Sequence, residues 1–284
     1  MQQSKELGKL AEGLLFVESP RWRDGRVWFS NGPHICSLRP GEQVRTHATL
    51  PTRAVLGVGF LADGRVAGVA AHERIIYAVN EDGSVSVFCD LSSRLKAPAN
   101  EIMAAPGGGL YVGPMGFDVL RGDKPVPARL LHVQPSGSVR EVGCDLHFPN
   151  GMAIAPDGPT LLVAESGANR ITAFRMNADG ALDDGRVYID LAGNAEHPDG
   201  ICVDREGSVW CACPRTAEVV RFSRLGEVQQ RLFLGDAHPT SCVLGGDDRQ
   251  TLIITATTEM PSPDMKFSGK AVLLAVRADV PGVG

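Results

Sequence analysis

The feature that most constrains this chain is a phrase that comes back six times. A "-DG-" dipeptide or a near relative, followed at once by a short apolar run, stands at Asp24-Gly25 ("RVWFS"), Asp63-Gly64 ("RVAGVA"), Gly107-Gly108 ("GLYVG"), Asp157-Gly158 ("PTLLVAE"), Glu206-Gly207 ("SVWCAC") and Asp247-Asp248 ("RQTLIITA"). Such dipeptides make tight hairpins because Gly and Asp tolerate the backbone angles a turn demands. The intervals between them are 39, 44, 50, 49 and 41 residues. That is the spacing of a four-stranded propeller blade, about 40–45 residues, with allowance for loops. Six units predict six blades.

Composition agrees. The chain holds 33 Gly and 19 Pro, its apolar runs are short and rich in Val and Ile, and no segment keeps a helical period, so strands joined by tight turns are expected throughout. Two packed sandwiches would also need many strands, but they do not require six turns in step. The last unit supplies only three strands, "TSCVLG", "TLIITATT" and "KAVLLAVR". The segment before Glu18 is expected to add the fourth and so remove the edge an open array would expose. The expected fold is therefore all-β: a six-bladed β-propeller with four-stranded antiparallel blades, one domain over residues 1–284, closed by pairing of the N- and C-terminal segments.

In a propeller the first strand of each blade lines the central channel, so positions equally far before the turn converge at one depth. Seven residues before it stand Asn100, Asn150, Asp199 and Thr240; one step off in the first blade stands Glu18, and the second blade offers only "GVG" at 57–59. "PNG" (149–151) and "PDG" (198–200) read as turns that set a polar side chain at the start of an inner strand. Each such turn alone is ordinary. Four blades placing oxygen-bearing groups at one depth is not something turn propensity requires. Two carboxylates and two carboxamides, with no His or Cys in the same phase, suit a hard divalent cation. Calcium is the first expectation, with zinc, manganese and magnesium open. Glu18 and Asp199 would balance its charge and, without it, repel each other.

The strand after each turn runs back to the same mouth. Residues just past its end are therefore expected around a small-molecule substrate: Asn31, His34, His72, Glu73, Met115, Phe117, Glu165, Arg215 and Glu259. Met115 and Phe117 suggest an apolar wall, and Arg215 a partner for a carboxylate. His147 and His197 read as loop or packing residues. The Pro-containing segment 257–270 reads as a connecting loop or partial lid.

Other classes are disfavoured. A net charge of −5 and a pI near 5.8, with Lys and Arg scattered, argue against a nucleic-acid partner or an anionic membrane. No apolar run is long enough to span a bilayer and the N-terminus lacks a signal-peptide core, so a cytoplasmic location is expected. Seven Cys without a C-x-x-C spacing suggest neither a complete disulfide framework nor a zinc knuckle. Cys211 and Cys213 read as core residues on one strand face. Oligomeric state is not readable.

At these residues the sequence resembles the gluconolactonase and regucalcin family, the senescence-marker-protein (SMP-30) type of six-bladed propeller. "ESPRWRDGRVWFS" looks like its opening signature, "ANEIMAAPGGGLYVG" like its Asn-Asp segment, and "FPNGMAIAPDGPTLLVAES" and "HPDGICVDREGSVWCA" like its Pro-Asn-Gly and Pro-Asp-Gly strands. The resemblance implies Glu18, Asn150 and Asp199 as metal ligands, Asn100 as a ligand through water or a substrate contact, and lactone hydrolysis with Asp199 as the acid/base group. Three departures bear on the substrate. Pro98 stands where sugar-lactonase members carry Arg, Glu101 replaces the usual Asp, and Asn31 follows "WFS" where Asp is common; these weigh against a sugar lactone more than against the metal site. Glu101 is counted with the substrate shell. The competing functions are phosphotriester-type hydrolysis or a lyase/hydratase reaction at the same metal, and a calcium- or ligand-binding propeller without turnover.

Overall fold

The computed structural model describes all residues except 1–6, 194–196, 260, 261, 263, 265 and 284. Its strands, in chain order, are β1 (Gly8–Leu14); β2 (Val17–Arg23), β3 (Arg26–Asn31), β4 (His34–Leu38) and β5 (Arg45–Thr49); β6 (Val55–Phe60), β7 (Val66–Ala70), β8 (Ile75–Val79) and β9 (Val85–Asp90); β10 (Ala99–Ala104), β11 (Leu110–Pro114), β12 (Ala128–Val133) and β13 (Val139–Leu146). They continue with β14 (Pro149–Ile154), β15 (Thr160–Glu165), β16 (Arg170–Arg175) and β17 (Arg186–Asp190); β18 (Ile201–Val203), β19 (Val209–Cys213), β20 (Glu218–Phe222) and β21 (Val228–Phe233); and β22 (His238–Gly245), β23 (Thr251–Thr257) and β24 (Ala271–Arg277). Each group of four forms one antiparallel sheet, and the sixth sheet has the order β1-β24-β23-β22. The expected closure is present: β1 pairs with β24, so the last blade is built from both ends of the chain.

Burial explains the strand patterns. The second strands are covered on both faces by neighbouring blades, and all five residues of β7, β11 and β19 are buried. They read as continuous apolar runs for that reason. Outer strands such as β13 and β21 are only partly covered: Val142 and Leu146 are the buried residues of the first and Leu232 that of the second. The apolar core lies between blades. One cluster joins Leu162, Ala164 and Ile171 of the fourth blade to Val209, Cys211, Cys213 and Phe222 of the fifth. Cys211 and Cys213 are fully buried there, as expected, with sulfurs 4.0 Å apart.

The inner strands depart from the expectation in one respect. Asn150-Gly151 and Asp199-Gly200 are not turns: Gly151 lies within β14, and neither glycine is left-handed. They are glycines because the inner strands nearly touch. A Cβ on Gly151 would meet Asp199 O and Ile201 N at 2.5 Å, and one on Gly200 would sit inside Ser241. The register of the inner pair also slips at the start of five blades, between Glu18 and Arg21, Val55 and Gly57, Ala99 and Ile102, Pro149 and Met152, and Pro239 and Ser241. A bulge of this kind re-aims a side chain that regular pleating would hold against the neighbouring blade.

Candidate active site at the channel mouth

The channel has two ends. Around the end where the inner strands finish, a cavity of about 420 Å³ is lined by Trp22, Phe60, Met103, Ile154, Val203 and Leu244 among others, and no carboxylate lines it. At the end where the inner strands begin, the bulged starts of three blades bring Glu18, Asn100, Glu101 and Asn150 together with Asp199, which stands just ahead of β18 in a fourth. Glu18 and Asp199 are partly exposed by area, and Asn100 is buried at 8% exposure.

Electrostatics define this mouth. Burial raises the Glu18 carboxyl well above its ordinary range, and the charges of Asp199 and Glu101 push the same way, against a hydrogen bond from Ser19 N–H and the attraction of Arg21. Asp199 is pushed up to about 8, first by burial and then by Glu101, against hydrogen bonds from the Asn150 side chain and Gly200 N–H. Glu101 differs from these two. Its Oε1 accepts from Ser19 Oγ at 2.7 Å, Arg21 Nη2 at 2.8 Å and Ile102 N at 2.8 Å. The mouth therefore contains one carboxylate with a cation of its own and two without one.

That donor set fits a hard divalent cation. Two poorly compensated carboxylates and a carboxamide, all oxygen ligands, would gain from a 2+ charge and are destabilised without one. No group of three His, Cys, Asp or Glu side chains with metal-holding geometry occurs among the described residues, so any such site must use amide oxygen as well. Asn150 is held from behind: its Nδ2 donates to Ser166 Oγ at 3.2 Å, and Ser166 Oγ donates to Pro198 O at 2.6 Å. Asn100 Nδ2 is buried without a hydrogen-bond partner. An orphaned donor at a mouth of this kind calls for an acceptor oxygen from a ligand or water.

The structure separates the other expected residues. Thr240 does not join the mouth as a donor: its Oγ1 donates to Val17 O at 2.7 Å and pairs with Thr255, stitching the last blade to the first. Glu165 is fully buried and taken by Arg170 at 2.7 and 3.1 Å, His147 N at 2.8 Å and Thr172 Oγ1, which leaves it a structural carboxylate. Glu101, paired with Arg21, likewise supports the site from within the channel. Asn31 Oδ1 accepts from Leu15 N at 2.7 Å, and His34 Nδ1 pairs with Thr49 Oγ1 at 2.9 Å. His72 faces Asp118 at 3.5 Å, Glu73 accepts from Thr52 Oγ1 at 2.6 Å, and Glu259 pairs with Lys270 at 3.0 Å. Met115 joins an apolar cluster with Phe16, Leu56, Phe148 and Phe267. Phe117 and Arg215 line a second cavity at the mouth, together with His147 and His197. The two histidines are thus wall residues, where the sequence suggested only loop or packing. Part of segment 257–270 lies outside the described residues; within it, Phe267 stacks on Phe16 with centroids 5.9 Å apart.

Sequence reasoning missed Ser19, Arg21 and Ser166 as supports. Arg21 and Glu101 are 80 residues apart and meet only across the ring, so no local signal marks the pair.

Residues 16–258 match the family described as the SMP-30/Gluconolactonase/LRE-like region. The chain belongs to this family. Among its relatives, regucalcin of Danio rerio is 29% identical over 61% of this chain and 59% of its own length, and a pentonolactonase of Haloferax volcanii is 25% identical over 72% and 67%. An uncharacterized protein of Sulfolobus acidocaldarius is 31% identical over 97% of this chain and 94% of its own. The match to the fish regucalcin thus spans about three fifths of that protein. Solved structures agree in fold: a luciferin-regenerating enzyme superposes with a TM-score of 0.83 at 19% identity, covering 98% of this chain and 97% of that one. A calcium-binding regucalcin of Agrobacterium tumefaciens superposes with 0.79 at 21%, covering 97% and 95%. The relatives thus include a protein named as a lactonase, and the structural neighbours one named as calcium-binding.

Proposed function

We propose that this protein is a divalent-metal-dependent hydrolase that opens a lactone or related cyclic ester. The observation that carries this reading is the pair Glu18 and Asp199, two carboxylates held together at one channel mouth with neither neutralised by a basic residue of its own. Membership of a family that includes a pentonolactonase supports the reaction class. Glu18, Asn150 and Asp199 are the residues that would hold the cation, calcium first. A cation held there would supply Lewis-acid polarisation of an ester carbonyl and stabilisation of the developing oxyanion charge, worth several kcal/mol.

The remaining work falls to side chains. Asp199, with its proton affinity raised by burial, accepts a proton from the attacking water and returns it to the departing ring oxygen as the acyl carbon–oxygen bond breaks, which yields the hydroxy acid. Asn100 offers its unpartnered Nδ2–H to a substrate oxygen. Glu18 balances charge without transferring protons. Glu101, fixed by Arg21, Ser19 and Ile102 N–H, keeps negative potential beneath Asp199 and so sustains its basicity.

A panel of lactones followed by proton release, with and without chelator, tests the reading. Chelator-sensitive turnover is expected, and Asp199→Asn should abolish turnover while calcium binding is largely retained, because the carboxamide oxygen can still ligate. Tight calcium binding with no member of the panel hydrolysed would replace this reading by that of a calcium-binding propeller.

A further inference from the structure

Next to the ligand-bearing positions lies a cavity of about 340 Å³ whose walls differ sharply in chemistry. Phe117, Val119, Val126 and Phe148 supply apolar lining, with the two phenyl rings edge to face at 5.5 Å. Val119 and Val126 are 45% and 54% exposed, which leaves apolar surface in water at the place where a ligand would cover it. Arg215, His147 and His197 also line it. Arg215 is exposed and has no ion-pair partner among the described residues, and no acidic side chain lines the cavity. The nearest acid in sequence, Asp118, is engaged: it caps Leu120 N and Arg121 N and faces Arg121 and His72.

The backbone ties this cavity to the ring. Phe148 and His197 each precede a ligand position by two residues, with one proline between, and both have positive φ, 55° and 52°. Residues other than glycine rarely adopt that conformation, and its cost of order 1–3 kcal/mol is met elsewhere in the fold. In two successive blades it places an aromatic or imidazole ring at the cavity just ahead of Asn150 and Asp199.

We propose that the substrate carries an apolar arm ending in an anionic group. The arm fills this cavity against Phe117 and Phe148, and the anion pairs with Arg215 while the ester lies over Glu18, Asn150 and Asp199. At about 340 Å³ the cavity is at the small end of ligand pockets, enough for a ring-sized arm. Arg provides the planar fork that matches a carboxylate. A polyhydroxylated arm would lay hydroxyls against the phenyl and valine surfaces, which offer no hydrogen-bond partner. The inference rests on reading this mouth as the catalytic one, so its test reads binding without turnover.

Calorimetric titration of the calcium-loaded full chain with 4-phenylbutanoate and with 4-phenylbutan-1-ol decides it. The acid is expected to bind at least tenfold more tightly than the alcohol. Arg215→Ala should bring the acid down to the alcohol's affinity, and Phe117→Ala should weaken both by roughly threefold to tenfold. Equal binding of acid and alcohol, no binding of either, or an unchanged affinity for the acid in Arg215→Ala would overturn the proposal; the last result would place the carboxylate on the cation instead. A failure of every lactone to be hydrolysed would remove the lactonase reading and leave these titrations unaffected.

Discussion

Raising the pH in the presence of chelator should weaken this fold, and calcium should cancel the effect. In the fold, burial and the charge of Glu101 push the Asp199 carboxyl up to about 8, against an ordinary value of 3.8. A carboxyl whose folded pKa is raised binds more protons in the native state than in the unfolded one, so stability is highest below about pH 4 for this group and falls until about pH 8. The slope is about 1.4 kcal/mol per pH unit, giving about 3 kcal/mol lost between pH 5 and pH 7. Glu18 is shifted in the same direction and interacts with Asp199, so the two titrate as a pair and the loss has the same sign. For a chain of 284 residues that corresponds to a fall in Tm of about 5 °C. Bound calcium selects the ionised pair, which removes the penalty and adds binding free energy to the native state. The assay is thermal unfolding by circular dichroism from pH 5 to pH 8, in chelator and in calcium, for the wild type and Asp199→Asn. A flat chelator curve, an equal fall in calcium, or an undiminished slope in Asp199→Asn would refute the assignment of two uncompensated carboxylates to one mouth.

Other outcomes follow from the packing. Gly151→Ala should cost about 1–3 kcal/mol in urea denaturation, because its Cβ would overlap the backbone of the next inner strand at 2.5 Å. Glu165→Gln should destabilise by about 3 kcal/mol by breaking the pair with Arg170, while lactone turnover at the same temperature changes little. Deleting β1 exposes β24 as an unpaired edge, and concentration-dependent association in light scattering is the expected result.

The fold was legible because its signal repeats. The "-DG-" turns join the two innermost strands of every blade, and the short unit at the C-terminus announced a strand borrowed from the N-terminus, where β1 lies. The site was legible in part, because equal phase in a closed ring implies convergence. The same rule failed at Thr240, whose hydroxyl is spent between blades, and at Glu165, where the end of a second strand is covered by its neighbours and not open at the mouth. Asn150-Gly151 and Asp199-Gly200 look like turns in sequence because turn formers and closely approaching strands both select glycine, and only the distance to the next strand separates the two causes.

By itself, then, the sequence determined the number of blades, the closure and the depth at which polar side chains meet, since all three depend on spacing along the chain. Tertiary structure alone decided which acids are neutralised. Arg21 reaches Glu101 across the ring and leaves Glu18 and Asp199 without a comparable partner, and charge compensation depends on distance through space, which residues far apart in sequence do not encode locally.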